Sequence, residues 1–464
     1  VKRLSYISEP TINQSDSGYY IEGWYLEKEC LTKWEFTEGK VKMDTNLYAK
    51  WVPLFAFIYN HVYEGYEIIM YRSPHYPIDE VTIPETYLGK PVLHLWNGAF
   101  QGKFNVPRKI NLSKNLETIG ELAFAHSSIE EIYIPFDGNL FQVHRNTFWG
   151  ANIKEINIPN QLELDPRMNE DLSFNIQFNI SENHSLYTEV DDVIYTKDLE
   201  TLVYYPSLKL DETYTILDGT QTIGSYAFFE TKVESVFYSS SLVTVMDSAF
   251  EFSKIENFTP LEENNIETLG YKAFYFSSLK HIDISKHMYS IESETFAFSS
   301  LVTIHFEEDS QLEMIHLHAF YNTKMHEIHL PSSLIHINPE AFTRTTIKSV
   351  FIGEGMRTQV IDSLRHFYHL EEIIIDQSHA YYMSKEGFVY SKDESELILV
   401  PRNVNQASFH IEDDVLDIGP FAFYQHRNIK GLTISPEHPT LSIKDNVVFS
   451  KDQTVLVHYS GFLN

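Results

Sequence analysis

The stretch SLKHIDISKHMYSIESETFAFSS, residues 278–300, opens as Leu279-x-x-Ile282-x-Ile284 and closes on Thr295-Phe296-Ala297-Phe298. Leu301-x-x-Ile304-x-Phe306 then begins the same phrase again. Self-similarity at a period of a little over twenty residues constrains the fold more than any other property of a chain, because it marks a stacked repeat. The template starts at Ile78, Pro107, Ile129, Ile153, Asn175, Asp211, Val233, Ile255, Leu279, Leu301, Met325, Ile347, Leu370, Gln406 and Ile429. Its later apolar members hold almost throughout, as in Ile132 and Ile134, Ile156 and Ile158, or Ile373 and Ile375.

A second column runs in phase with the first. An Ala-Phe or Thr-Phe pair recurs at Phe100, Phe124, Phe148, Phe228, Phe250, Phe274, Phe296, Phe320, Phe342 and Phe423. Strand side chains alternate between the two faces of the backbone. The apolar members therefore turn inward and the residues between them turn to solvent. One such unit cannot bury its apolar side alone, so units stack and share a core. The pattern predicts a β-rich solenoid of about fifteen units, with the Phe column as a core ladder.

Three long units carry an insert: HSLYTEVDDVIYTKDLETLVYYP (184–206), HAYYMSKEGFVYSKDESELILVP (379–401) and HPTLSIKDNVVFSKDQTVLVHYS (438–460). Each reads as a β-hairpin of two β-rich runs around Lys197-Asp198, Lys392-Asp393 or Lys451-Asp452. His184, His379 and His438 hold equivalent places and read as turn residues.

The phrases LETIGELAF (116–124), TQTIGSYAF (220–228), MHEIHLPSSLIHINPEAF (325–342) and VLDIGPFAF (415–423) resemble BspA-like leucine-rich repeats, also called the Treponema pallidum type. The resemblance implies a leucine-rich-repeat fold over residues 78–464. Residues 1–53 are similar to the Listeria–Bacteroides repeat, through Gly23-Trp24-Tyr25, Trp34, Phe36 and Leu47-Tyr48-Ala49-Lys50-Trp51, with Gly39 at a turn. That similarity implies a small β-grasp-like module, with its first strand within Val1–Tyr20. Between the two, residues 54–77 include FAFIYNHVYEGYEIIMYR and read as a hairpin capping the first core layer. No such cap follows Ile429, so the natural chain is expected to continue beyond Asn464.

Both resemblances imply an exported bacterial surface protein that is not an enzyme. They imply adhesin-like binding of an extracellular protein or glycan. A passive stalk, or the non-catalytic part of a larger exported enzyme, stands as the alternative. Composition agrees with this and narrows the partner. A net charge of −30 excludes a phosphate-binding surface of clustered Lys and Arg, so no nucleic acid is expected. There is no apolar run long enough to span a membrane. The one cysteine, Cys30, closes no internal disulfide and builds no Cys-based metal site. No cofactor is expected, and the chain is expected to be a monomer. No G-x-S-x-G, H-E-x-x-H or Gly-rich phosphate loop occurs. Glu307-Glu308-Asp309, Asp191-Asp192 and Asp413-Asp414 read as solvated loop charges.

The outward strand positions are the candidate binding face. Tyr133, Phe237, Phe351 and Ile374 place apolar side chains there. His281, Asp283, His305, Glu327 and His329 fall on three successive strands. Such a set reads chiefly as polar surface. Zinc binding or a pH-sensitive patch is the sharper alternative.

Overall fold

The computed structural model describes residues 5–6, 18–36, 40–41, 45–74, 78–102, 106–144, 146–165, 177–426 and 428–459. Asn175, Gly39 and most of Val1–Tyr20 lie outside them. The chain divides into two units, Val1–Lys197 with Pro206–Leu208, and Asp198–Tyr205 with Lys209–Asn464.

In the first unit a five-stranded parallel sheet runs through Glu80–Thr82, Lys109–Asn111, Glu131–Tyr133, Glu155–Ile158 and Gln177–Ile180. A second column pairs Lys90–Leu95, Thr118–Ile119 and Gln142–Val143 in parallel. The antiparallel hairpin Phe55–Asn60 and Gly65–Tyr71 joins that column through Gly65–Tyr71 and Lys90–Leu95. Further towards the N-terminus, Tyr19–Tyr25 pairs antiparallel with Tyr48–Pro53.

In the second unit the first column comprises a five-stranded, a three-stranded and a two-stranded parallel sheet, from Thr213–Thr215 to Gly431–Ile434. Every strand of the first column begins two residues beyond its predicted repeat start. The burial pattern confirms the alternation. In His281–Ile284, Glu327–Leu330 and Glu372–Ile375 the first and third residues are exposed and the second and fourth buried. This is a leucine-rich-repeat β-solenoid with almost no helix. Among the described residues the one α-helix is Thr358–Ser363, followed by a 3-10 turn, Leu364–His366.

The Phe column is the core. Phe100, Phe124 and Phe148 are fully buried and stack at 5.3 and 5.8 Å between ring centres. In the second unit Phe228, Phe250, Phe274, Phe296, Phe320 and Phe342 stack at 4.7 to 5.6 Å. The small residue before each ring has a backbone reason. The Phe N–H of one turn donates to the carbonyl of the small residue in the next, as from Phe250 to Ala273 at 2.7 Å and from Phe274 to Thr295 at 2.8 Å. Where Thr stands for Ala, its buried hydroxyl is satisfied locally, Thr295 donating to the Glu292 carbonyl at 2.8 Å. Three rings join the ladder without the Ala-Phe signature: Tyr71 on Phe100, Tyr205 on Phe228 and Phe367 on Phe342.

The inserts carry one more strand than a single hairpin. Tyr382–Lys385, Phe388–Ser391 and Glu396–Leu399 pair antiparallel in succession, as do Leu441–Lys444, Val447–Ser450 and Leu456–Tyr459. In the first insert Tyr187–Val190 pairs with Val193–Thr196. The extra turn lies at Asp191-Asp192, Glu386-Gly387 and Asp445-Asn446, where both residues have positive φ. That is the backbone of a tight two-residue hairpin, which Asp, Asn and Gly tolerate best. Asp191-Asp192 is thus a hairpin turn and not merely a pair of loop charges. The Lys-Asp turns have their own logic. The Asp carboxylate accepts the backbone N–H two residues on, while the Lys ammonium donates to a carbonyl fifteen residues back.

Candidate interaction surface

Register places the outward side chains side by side. Phe351 stands opposite Ile374 on one neighbour and His329 on the other. The His329 and Phe351 rings stack at 4.0 Å with 13° between their planes. His329, Phe351 and Ile374 therefore form one row across three adjacent strands, with Ile374 exposed and Phe351 half-buried. Tyr133, 44% exposed, stands on the first unit's sheet, and Phe237 is half-buried beside Thr259.

The polar set does not gather into one centre. His305 approaches Asp283 at 3.4 Å, and His281 hydrogen-bonds Thr303, so the contacts are made in pairs. Glu327 lies beside Ser349 on the following strand. Among the described residues no three His, Cys, Asp or Glu side chains are placed to hold a metal ion. A groove of about 540 Å³ opens beside this set, lined by His305, His329 and the acidic turn Glu307-Glu308-Asp309.

A second exposed row has no counterpart in the strand pattern. Phe252, Phe276 and Phe298 stack at 5.4 and 4.5 Å, with Phe252 and Phe276 exposed at 42% and 45% and Phe298 half-buried. All three have positive φ, 57°, 52° and 60°. Bulky residues seldom adopt that conformation. The signal was present as AFEF (249–252), AFYF (273–276) and TFAF (295–298), two residues beyond the core ring. The Lys272 ammonium lies 4.6 Å from the adjoining Tyr275 ring, a cation–π contact.

Beside this row sits a carboxylate pair. Burial, and then the charge of Glu251, push the Glu230 carboxyl up to about 7. Its buried Oε2 has no hydrogen-bond partner. A carboxyl whose folded pKa is raised favours the neutral form. Its contribution is fully present below about pH 4.5 and is lost as pH rises through about 7. Glu230→Gln stays neutral throughout. Its melting temperature should match wild type near pH 4.5 and exceed it increasingly up to pH 8, as read by calorimetry across that range. A constant offset would mean that Glu230 charge is not the cause.

The sequence matches the family described as BspA type leucine-rich repeat region over residues 77–189, 197–312 and 307–406, which is well over half its length. The chain belongs to the BspA-type leucine-rich repeat proteins. Residues 1–50 match the Listeria–Bacteroides repeat domain. Among solved structures, this BspA-type chain is similar to a leucine-rich repeat protein from Eubacterium ventriosum, with 19% identity and a TM-score of 0.42. That likeness covers 58% of this chain and 84% of the other. The pneumococcal vaccine antigen PcpA is similar at 19% identity and a TM-score of 0.41, over 80% of this chain and 84% of that one. The T. pallidum leucine-rich repeat protein follows at 14% identity and a TM-score of 0.23, over 56% and 82%. No curated protein matches this sequence. No helix among the described residues is long and apolar enough to cross a membrane.

Proposed function

We propose that this BspA-type chain is a bacterial cell-surface binding protein, adhesin-like and non-enzymatic, that holds an extracellular protein partner on the outward face of its strands. The observation that carries this reading is the His329–Phe351–Ile374 row. Apolar and aromatic side chains stand there in register on the solvent side of a sheet whose other side already supplies the core. They add nothing to the buried ladder. Side chains of this kind, placed on a rigid support, are what protein contacts use as anchors. Tyr133 and Phe237 are the matching positions on other strands, and His281, Asp283, His305 and Glu327 supply a polar border. In the same reading residues 1–53 are a separate β-grasp-like module, and the Phe55–Tyr71 hairpin caps the solenoid that follows. Family membership supports export and attachment to the cell surface as part of this reading.

The test is a binding screen of the purified chain against immobilised extracellular-matrix proteins and glycans. A saturable protein hit is expected, weakened about tenfold or more in Phe351→Ala/Ile374→Ala, the usual scale for loss of an anchor. Both substitutions truncate solvent-facing groups, so the melting temperature should hardly move. A protein hit that the double variant leaves intact would take the site away from this row. Silence toward every protein would favour a passive stalk.

A further inference from the structure

A groove of about 340 Å³ in the first unit has a different character from the strand row. It lies along the second column, over Lys90–Leu95, Thr118–Ile119 and Gln142–Val143. Three large aromatic side chains border it while remaining open to solvent: Tyr63 at 56%, Trp96 at 51% and Phe141 at 55%. They come from the tip of the Phe55–Tyr71 hairpin and from two turns of the solenoid that flank the turn of Thr118–Ile119. No core role accounts for them, because the buried ladder of this unit is complete without them.

Most polar groups of the groove can both donate and accept. The His94 ring is fixed by a 2.8 Å hydrogen bond between Nδ1 and the Thr118 hydroxyl, and it leaves a buried Nε2 without a partner. The side-chain amide of Gln142 and the imidazole of His144 lie along the same wall. Glu117 and the buried Glu67 contribute carboxyl groups, and among the described residues no Lys or Arg lines the groove. An anionic ligand would therefore meet like charge without compensation. A bare cation would leave the amide N–H groups without a use, and among the described residues no three His, Cys, Asp or Glu side chains converge to hold one. A ring with apolar C–H faces and a rim of hydroxyls fits both parts of the wall. Its faces stack on aromatic side chains, and its hydroxyls pair with groups that donate and accept. Volumes near 300 Å³ are at the small end of ligand clefts.

We propose that this groove is a binding site for a neutral saccharide, one or two pyranose rings deep, with Trp96 and Phe141 as stacking platforms and His94 and Gln142 as hydroxyl partners. The site stands independently of the strand row, so either can fail without the other.

The experiment is titration of the intact chain with cellotetraose, maltotetraose and mannotetraose. It is followed by intrinsic tryptophan fluorescence and calorimetry, with tetragalacturonate and tetramethylammonium chloride as charged comparisons. At least one neutral tetrasaccharide should bind saturably, and tetragalacturonate should not. Trp96→Ala and Phe141→Ala should each weaken binding by about tenfold, a loss equivalent to one good contact. Phe351→Ala/Ile374→Ala should leave it unchanged. All of these side chains are at least partly exposed, so unaltered melting curves will show that the variants fold. Absence of binding by all three neutral sugars overturns the proposal. So does binding that both aromatic variants leave intact, and so does saturable binding of tetramethylammonium alone.

Discussion

Phe274→Ala is expected to destabilise the second unit by about 4 kcal/mol, the middle of the range for emptying a buried phenylalanine site. Phe276→Ala, two residues on, should cost less than about 1 kcal/mol, as exposed substitutions do. The two positions share a sequence phrase and differ in what surrounds them. The Phe274 ring is fully buried, stacked between Phe250 at 4.9 Å and Phe296 at 5.6 Å, with Phe258 at 5.4 Å on a third side. Removing it strips contacts from two neighbouring turns at once. In a solenoid each turn is held mainly by its neighbours, so one hole weakens two interfaces. Backbone hydrogen bonds hold the surrounding turns in place, Phe274 N–H to Thr295 and Ala273 carbonyl to Phe250, so the cavity cannot simply close. Chemical denaturation followed by circular dichroism will read the difference. Near-equal losses at 274 and 276 would mean that the outer row is part of the core and not a surface feature.

The same phrase shows what was legible in advance. Residues 278–306 state their strands openly, because a four-residue strand with one buried side repeats an alternation that burial enforces. Tyr133, Ile374, His281, Asp283, His305, Glu327 and His329 are exposed for that reason, whereas Phe237 and Phe351, at outward positions of the same kind, are half-buried. The second column was not legible. Thr118–Ile119, Thr222–Ile223 and Thr244–Val245 are two-residue strands, too short to show any period. Tyr71, Tyr205 and Phe367 carry no sequence signature, because they enter the ladder from a hairpin, an insert and a 3-10 turn, without a preceding Ala. The extra strand of each insert was hidden by its turn. Asp191-Asp192 looks like solvated charge unless positive φ is considered. The groove beside Trp96 could not be read at all, since its walls come from segments some twenty residues apart that only stacking brings together.

His379→Ala is expected to cost about 3 kcal/mol, and His438→Ala about the same, although neither residue lies near a candidate ligand site. Both rings are buried, 1% and 0% exposed. Each works as a staple at the entrance to its insert. Nδ1 of His379 accepts the N–H groups of Tyr381 at 3.3 Å and Tyr382 at 3.1 Å, and Nε2 donates to the Met356 carbonyl at 3.1 Å. Nδ1 of His438 accepts from Thr440 and Leu441, and Nε2 donates to the Glu412 carbonyl at 3.2 Å. His184 repeats the Nδ1 arrangement with Leu186 and Tyr187. Alanine would leave two backbone N–H groups and one carbonyl without partners in a buried site, each costing about 1–3 kcal/mol before relaxation. Asparagine should recover part of the loss, because its side-chain oxygen can reach the N–H two residues on. The geometry also carries a sign for acid. Nδ1 must be free of a proton to accept, and burial holds the His184 imidazole below its usual pKa. A histidine kept neutral in the fold contributes fully above about pH 6.5 and loses that contribution as pH falls towards its folded pKa. Wild type should therefore lose stability on acidification from pH 7 to 5, and His184→Ala, weaker at pH 7, should lose less over the same interval. Parallel pH curves for the two proteins would show that the staple does not depend on the neutral ring.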